Sequence, residues 1–464
     1  MFIFLGHMLL AAFASAHIIL HKRNTGSAIA WIGLVWLSPY LGSLLYFIFG
    51  INRIYRKACS RKFFRNIKQL KFPEAVCKNP TIHRYQRISD SILNTYTTEK
   101  NEILPLESGS AAYNAILESI DAAKNFIFLE TYIFDNDRSG KIFADKLEAA
   151  LKRGVKIKVL VDAAGTRYSK PPIQKLLREK LISTALFGRK NIFYTIEYAN
   201  LRNHRKLLIV DGDVAFSGGM NIREGYLEWP QQPVLIHDLH FQFKGLCVQE
   251  FQKVFVEDWW YETGEDLSWS FQKNQASLPI EGKSFVRLVP DGPDQKEGKS
   301  RQLFLSAAVA AHKSIQIITP YFVPDENLIE MLKIAARSGI EVEIILPAEN
   351  NLNFVQWAST SILDSLIEAG CKIYLSNPPF DHTKLMIVDS VWVYTGSANW
   401  DQRSLRLNFE LNFEIVDEAF ASKMENLFKM KQKNSKKIEL QDLQNLPLWV
   451  RLRNSLVYLG QPYL

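Results

Sequence analysis

The run His-x-Lys-x4-Asp occurs twice in this chain, as His204, Lys206 and Asp211 and again as His382, Lys384 and Asp389. After each aspartate, with six residues between, comes a glycine-led Gly-x-x-Asn: Gly218, Gly219 and Asn221, then Gly396, Ser397 and Asn399. Composition alone does not produce a pattern of this length twice at one internal spacing. The chemistry it offers is that of a phosphodiester. One imidazole can attack phosphorus as a nucleophile, while the other protonates the leaving alcohol and later deprotonates the incoming one. Lys206, Lys384, Asn221, Asn399 and Ser397 can donate to the phosphate oxygens and stabilise the pentacoordinate charge without a metal or other cofactor. No grouping of Asp, Glu, His and Cys has the spacing of a two-metal site.

A histidine nucleophile needs its second ring nitrogen held, usually by a carboxylate. Two acids stand at matching places downstream, Asp238 in Ile236-His237-Asp238-Leu239 and Glu410 in Asn408-Phe409-Glu410-Leu411. Asp211 and Asp389 are counted with the catalytic motif, yet each follows four apolar residues and opens a turn, which reads as a structural place. The other seven histidines lack such company and read as structural.

The elements that must hold these groups follow from the flanking pattern. Residues 207–210 and 385–388 are apolar β runs, so each His and Lys lies just before or at the start of a buried strand. At period two, His204 and Lys206 share a face, as do His382 and Lys384. A longer repeat surrounds the motifs. Ala122-Ala123-Lys124, an apolar run, Tyr132 and Asp135, a helical stretch and Arg153-Gly154 correspond to Ala311-His312-Lys313, an apolar run, Tyr321 and Asp325, a helical stretch and Arg337-Ser338-Gly339. Strand, helix, strand alternation predicts an α/β fold built from two similar halves. The polar stretch 262–282 is the expected boundary between them.

With 464 residues, 47% of them hydrophobic, the chain is neither disordered nor fibrous and can hold several cores. A net charge of +8 calls for an anionic partner. Eight basic residues (Arg53, Arg56, Lys57, Arg61, Lys62, Arg65, Lys68 and Lys71) run without an acid among them, directly after an apolar stretch. That is the pattern of a lipid-headgroup contact beside a membrane span, and it argues against nucleic acid as the partner. Apolar segments over 2–20 and 28–50 predict a transmembrane helical hairpin. A signal peptide is the alternative for the first, which lacks a basic leading segment. The basic run places the large domain on the cytoplasmic side. Over 446–464, Trp449, Leu452, Leu456 and Leu459 with Arg451 and Arg453 form an amphipathic tail suited to a membrane interface or to packing on the core. Cys59, Cys77, Cys247 and Cys371 show neither metal spacing nor a disulfide framework and read as free thiols.

The duplicated motif resembles that of the phospholipase D superfamily. The flanks Arg202-Asn203-His204-Arg205-Lys206, Ser217-Gly218-Gly219-Met220-Asn221 and Gly396-Ser397-Ala398-Asn399-Trp400-Asp401 narrow the resemblance to bacterial cardiolipin synthases, across almost the whole chain. The resemblance implies two pseudo-repeated phospholipase D-like domains of mixed β-sheet sandwich type. In residue terms, 1–52 are two transmembrane helices, 53–100 a basic linker, 101–275 the first domain and 276–464 the second. It implies joining of two phosphatidylglycerols into cardiolipin with release of glycerol, on the inner membrane of a bacterial cell, and anionic phospholipid as the partner. It assigns the nucleophile to the first motif, hence to His204. Arg223-Glu224 departs from the family's commoner Gly-Asp, and His237 stands where Arg is frequent, which bears on substrate preference. The rival readings are hydrolysis to phosphatidic acid, a phosphatidylethanolamine donor, a nucleic-acid phosphodiesterase, and a lipid-binding scaffold, the last disfavoured because both motifs are intact.

Overall fold

The structure is a computed structural model that describes residues 2–22, 25–50, 80–93, 95–188, 201–272, 282–293 and 298–461. The expected basic run 53–71, Cys59 and Cys77 lie outside the described residues. Two compact units divide the chain, 1–60 and 61–464.

In the first unit, helices Phe2–His21, Thr25–Leu37 and Pro39–Leu45 pack around Ala11, Ala14, Ile18, Val35 and Tyr46, and a π turn closes it over Tyr46–Gly50. Trp36 Nε1 donates to Ser15 Oγ at 3.0 Å. The outer surface is apolar, with Leu9, Phe13 and Leu20 exposed. The expected second span is not one helix. Pro39 has no N–H to donate and crowds the residue before it out of helical geometry, so Ser38 sits at φ −145° and ψ 77° and the helix restarts there. Among the described residues no helix is long and apolar enough to cross a membrane.

The second unit is built on one 15-stranded mixed sheet. Its first half contains β1 (Thr98–Leu106), β2 (Phe126–Thr131), β3 (Lys156–Asp162), β4 (Ser183–Phe187), β5 (Leu207–Val210), β6 (Val214–Gly218), the two-residue β7 (Ile236–His237) and β8 (His240–Lys244). Its second half contains β9 (Ser284–Asp291), β10 (Ser314–Ile318), β11 (Phe322–Val323), β12 (Glu341–Pro347), β13 (Lys372–Ser376), β14 (Phe380–Asp381), β15 (Leu385–Val388), β16 (Trp392–Gly396), β17 (Trp400–Asp401), β18 (Glu410–Val416) and β19 (Ser435–Ile438). Fifteen of these strands form the sheet, while β7 with β14 and β11 with β17 form two separate two-stranded ladders. The repeat is topological as well as sequential. The order β4-β3-β2-β5-β6-β8 is matched by β13-β12-β10-β15-β16-β18, and in each the first three strands are parallel and the rest antiparallel.

Alternation assigns the faces. Ile127 and Leu129 of β2 point to a core with the helices Gly109–Ala122 and Arg138–Lys152. Ile315 and Ile317 of β10 do the same with Lys299–Ala310 and Glu326–Arg337. On the other face Phe128 stacks on Phe255 of the helix Cys247–Thr263, 4.8 Å between ring centroids. β1 pairs with both β8 and β9, and β9 with β18, so one sheet runs through both halves. It folds back on itself, bringing Phe243 of β8 within 4.8 Å of Phe413 of β18. Phenylalanines thus fill the space between two parts of one continuous sheet.

Within the expected linker 53–100, the described residues from 80 onward carry regular structure. Residues Pro80–Ile92 form a helix whose Tyr85, with Leu93 just beyond it, is buried in the second repeat's core, and β1 starts at Thr98. Cys247 and Cys371 are buried free thiols.

Candidate active site at the junction of the repeats

Each histidine precedes a strand that starts three residues later, β5 at Leu207 and β15 at Leu385. The segment carrying it leaves its own half and pairs with the other. His204 N–H donates to Phe409 O at 2.8 Å, and Phe409 N–H to Arg202 O at 2.8 Å. In the mirror arrangement β14 pairs in parallel with β7, and His382 N–H donates to His237 O at 2.7 Å. These crossings carry each imidazole to the carboxylate of the opposite repeat. His204 Nδ1 lies 3.0 Å from Glu410 Oε2, and His382 Nδ1 lies 2.7 Å from Asp238 Oδ2. Both carboxylates are fully buried, and the histidines nearly so.

The loop after each Gly-x-x-Asn glycine supports these acids. Gly218 and Gly396 take φ of 151° and 146°, and an added Cβ would strike the facing strand's backbone, 2.7 Å from Leu239 O in one and 2.5 Å from Asn412 Cα in the other. Gly219 leaves room for Asp238, whose Oδ1 would be 2.2 Å from a Cβ there. At the equivalent place Ser397 donates its hydroxyl to Glu410 Oε2 at 2.5 Å and accepts from Leu411 N–H at 2.9 Å. Ser397 was expected to bind substrate; its hydroxyl instead holds the acid that holds His204.

Lys206 Nζ donates to His204 O at 2.5 Å and stands 5.5 Å over the Tyr132 ring. Lys384 Nζ donates to His382 O and lies 4.0 Å from Asp238 Oδ2. It also lies 2.7 Å from His382 Nδ1. That nitrogen has one proton to place, and the ionised Asp238 claims it, so the ammonium's partners are the carbonyl and the carboxylate. Asn221 accepts from Ile133 N–H at 3.1 Å through Oδ1. Asn399 donates to Ser404 Oγ at 3.3 Å, and its buried Oδ1 has no partner.

Burial sets the electrostatics. It pushes Lys206 down to about 7 and Lys384 down to about 8, each lowered further or held by charges from both repeats. Burial also lowers both imidazoles, His382 to about 4, against the upward pull of Glu410 on His204 and of Asp238 on His382. For the two carboxylates burial acts upward but is outweighed by Lys384 and His382 at Asp238 and by His204 and Lys206 at Glu410, so both stay below their ordinary values. The site thus holds neutral imidazoles against ionised acids. A bound phosphodiester anion would favour the charged forms of the histidines and lysines alike.

Asp211 and Asp389 are not brought to the histidines. Asp211 accepts from the N–H groups of Lys124, Asn125 and Phe126 at 2.7–2.8 Å, and Asp389 from those of His312, Lys313 and Ser314, with Tyr85 O–H added at 2.9 Å. They pin the repeated Ala-Ala-Lys and Ala-His-Lys corners to the ends of β5 and β15, which removes them from direct chemistry.

Three features escape sequence reasoning. Tyr132 stands edge-on to His204 at 5.2 Å and Tyr321 to His382 at 6.0 Å. Their matching places in the repeat were the available signal. His240 pairs with Gly218 as Asn412 pairs with Gly396. Asn412 Oδ1 accepts from Ser397 and Ala398 N–H, whereas burial holds His240 neutral, at about 4, with Nδ1 unpartnered. Behind His204, Arg205 donates to Glu410 O at 3.2 Å and bonds Asp258, next to a buried Glu130 bonded to Asn203. Among the described residues no group of three or more His, Cys, Asp or Glu could hold a metal ion.

Comparison with known proteins agrees with this geometry. A family model described as "Cardiolipin synthase, PLD-like domain" matches residues 116–259 and 305–431, and one described as "Phospholipase_D-nuclease N-terminal" matches 9–50. The cardiolipin synthase of Clostridium perfringens strain ATCC 13124 is 33% identical over 460 residues, covering 96% of this chain and 95% of the relative. That of Geobacillus thermodenitrificans is 32% identical over 458 residues, 96% and 90% of the two chains. The major cardiolipin synthase of Bacillus subtilis strain 168 is 31% identical, with 96% and 95% covered. Among solved structures, the phosphatidylserine synthase of Haemophilus influenzae Rd KW20 superposes with a TM-score of 0.62 at 16% identity, over 82% of this chain and all of that one, which is a likeness of fold. By sequence match across nearly its full length and by the repeated domain, the chain belongs to the cardiolipin synthase family with phospholipase D-like domains.

Proposed function

We propose that the protein is a phosphatidyltransferase that makes cardiolipin from two phosphatidylglycerols and releases glycerol. The observation that carries the reaction class is the crossed pairing, His204 on Glu410 and His382 on Asp238, which gives one site two imidazoles in equivalent settings. Two equivalent histidines suit a reaction whose two halves are each other's reverse. The family membership supports the lipid substrates and the transfer to a second lipid.

In this reading His204 Nε2 attacks phosphorus and the P–O bond to the headgroup glycerol breaks. His382, held as the imidazolium by Asp238 and the bound phosphodiester anion, gives its Nε2 proton to the departing oxygen, completing a phosphatidyl-histidine. A terminal hydroxyl of a second phosphatidylglycerol then returns its proton to His382 as its oxygen attacks phosphorus, and the P–N bond breaks. Lys206, Lys384, Asn221 and Asn399 would donate to the phosphate oxygens. Glu410 and Asp238 hold Nδ1–H so that Nε2 faces the phosphate, and stabilise positive charge on each ring. No cofactor takes part. The apolar outer surface of the N-terminal helices supports anchorage to a bacterial inner membrane, and the basic run that follows them in sequence supports a catalytic unit on the cytoplasmic side.

Purified protein given phosphatidylglycerol vesicles should form cardiolipin and glycerol, and added glycerol should reverse the exchange, because one phosphodiester replaces another. Phosphatidic acid as the sole product at every lipid concentration would make the enzyme a hydrolase. Vesicles of phosphatidylethanolamine with phosphatidylglycerol test the other donor.

A further inference from the structure

The C-terminal helix Leu448–Tyr458 is amphipathic in the wrong sense for a surface helix. Its inward face, Val450, Asn454, Val457 and Tyr458, is buried or half-buried, and Val457 and Tyr458 pack on Val323, Val355 and Ala358. The side turned to solvent carries Leu448, Trp449, Leu452, Leu456 and Leu459, each more than 60% exposed. At 100° per residue these five fall within an arc of about 100° along the whole helix. Single exposed leucines are ordinary, but a contiguous stripe of them is not.

The stripe continues onto a neighbour. Arg453 stacks 4.1 Å over Trp357 and reaches Trp449 at 5.5 Å, and Trp357 lies 5.3 Å from Phe354, itself exposed on the helix Asn353–Thr360. The same elements lead to the active site. Tyr321, edge-on to His382, packs into the cluster that receives Val457 and Tyr458, and Gln461 is tied to Pro324 O at 2.7 Å.

Charge selects the occupant. On the helical wheel Arg451 and Arg453 flank the stripe on its two sides, and Leu448–Tyr458 holds no acid. A second copy docked through this face would set arginines against arginines. An anionic bilayer supplies the apolar layer for the stripe and the negative headgroups for its flanks, with Trp449 at the boundary.

We propose that this face, the stripe of the C-terminal helix with Phe354, docks in the headgroup layer of an anionic bilayer and sets the Tyr321–His382 side of the site against the surface from which lipid enters. The role in substrate entry rests on the phosphatidyltransferase reading; the docking does not. The test uses the full chain with Cys59→Ser and Cys77→Ser, leaving only the buried Cys247 and Cys371. An environment-sensitive fluorophore is placed on Leu452→Cys or Leu456→Cys, with Lys429→Cys as the control at an exposed position of a different helix, Glu418–Lys433. On phosphatidylcholine vesicles containing phosphatidylglycerol, the labels at 452 and 456 should shift to the blue and be quenched by nitroxide-bearing lipid, and the label at 429 should not. No quenching at 452 and 456, or label-to-label contact without lipid, overturns the proposal. The pair Leu452→Glu and Leu456→Glu should lower cardiolipin formation from vesicles roughly tenfold or more, while turnover of a short-chain, water-soluble phosphatidylglycerol is unchanged. Equal losses on both substrates overturn the entry role. Labels that insert in an enzyme making only phosphatidic acid would leave the docking standing and refute the synthase.

Discussion

Replacing Glu410 by Gln removes a single negative charge 3.0 Å from His204 Nδ1 while keeping the side chain's shape. Glu410 Oε2 also accepts from Ser397, and Oε1 accepts from Asn408 Nδ2 at 3.1 Å. The new amide can keep its oxygen toward His204 only if Asn408 turns its own carboxamide, which its unpartnered Oδ1 permits. In that arrangement a charge-assisted bond of about 1.5–3 kcal/mol becomes a neutral one of about 1, a loss of roughly 0.5–2 kcal/mol, or about two- to thirtyfold in kcat/KM. If the N–H side faces His204 instead, the wrong tautomer is held, and the analogous change in a Ser-His-Asp triad lowers kcat about 10⁴-fold. The pH profile separates this from a general disturbance. Burial lowers His204 and Glu410 is the chief force raising it, so the variant's imidazole is lowered further. A nucleophile works as the neutral form, so the acid limb of kcat/KM moves to lower pH as the height of the profile falls. Asp238→Asn should lower activity without moving that limb in this way, because it acts on His382. Cardiolipin formation by each variant across the pH range is the assay. Wild-type kcat/KM in Glu410→Gln, or a limb that moves in Asp238→Asn and not in Glu410→Gln, would refute the crossed assignment.

The ammonium forms of Lys206 and Lys384 should be lost as pH rises through about 7 to about 8, so kcat/KM should fall there rather than near the ordinary lysine value. The kcat limb should lie higher, because bound phosphate favours the charged amines; a kcat/KM flat to the ordinary lysine range contradicts this. Activity should persist in excess chelator, with the lysines and asparagines supplying charge stabilisation, and loss restored by one added metal would overturn that mechanism. Asp211→Ala should lower the thermal midpoint by leaving three backbone N–H groups short of an acceptor, each costing about 1–3 kcal/mol where buried, while kcat well below that midpoint stays close to wild type. A stable but inactive Asp211→Ala protein would return the aspartate to the chemistry.

The sequence by itself determined what is local. Residue types at fixed offsets named both histidines, both lysines and both supporting acids, and four-residue apolar runs placed each motif at a strand start, because hydrophobic period and spacing are written along the chain. The duplicated landmarks likewise implied two similar α/β halves. Other decisions depended on contacts between distant segments. Which acid serves which histidine was undetermined, since Asp238 and Glu410 stand at equivalent places, and it is the strand crossing at Phe409 and His237 that exchanges them over 206 and 144 residues of chain. Ser397 looks like a phosphate donor in sequence but meets Glu410 first. Asp211 and Asp389 read as structural from the turn each opens, but the backbone corners they fasten, 124–126 and 312–314, are identified only in the fold. The single sheet through both repeats follows from β1 pairing with β8 on one side and β9 on the other, which no periodicity reports. Pro39 breaks the helix within 28–50, a segment whose hydropathy alone reads as one span. The proline's missing N–H and its clash with Ser38 act on one turn, where a window average over the segment has no resolution.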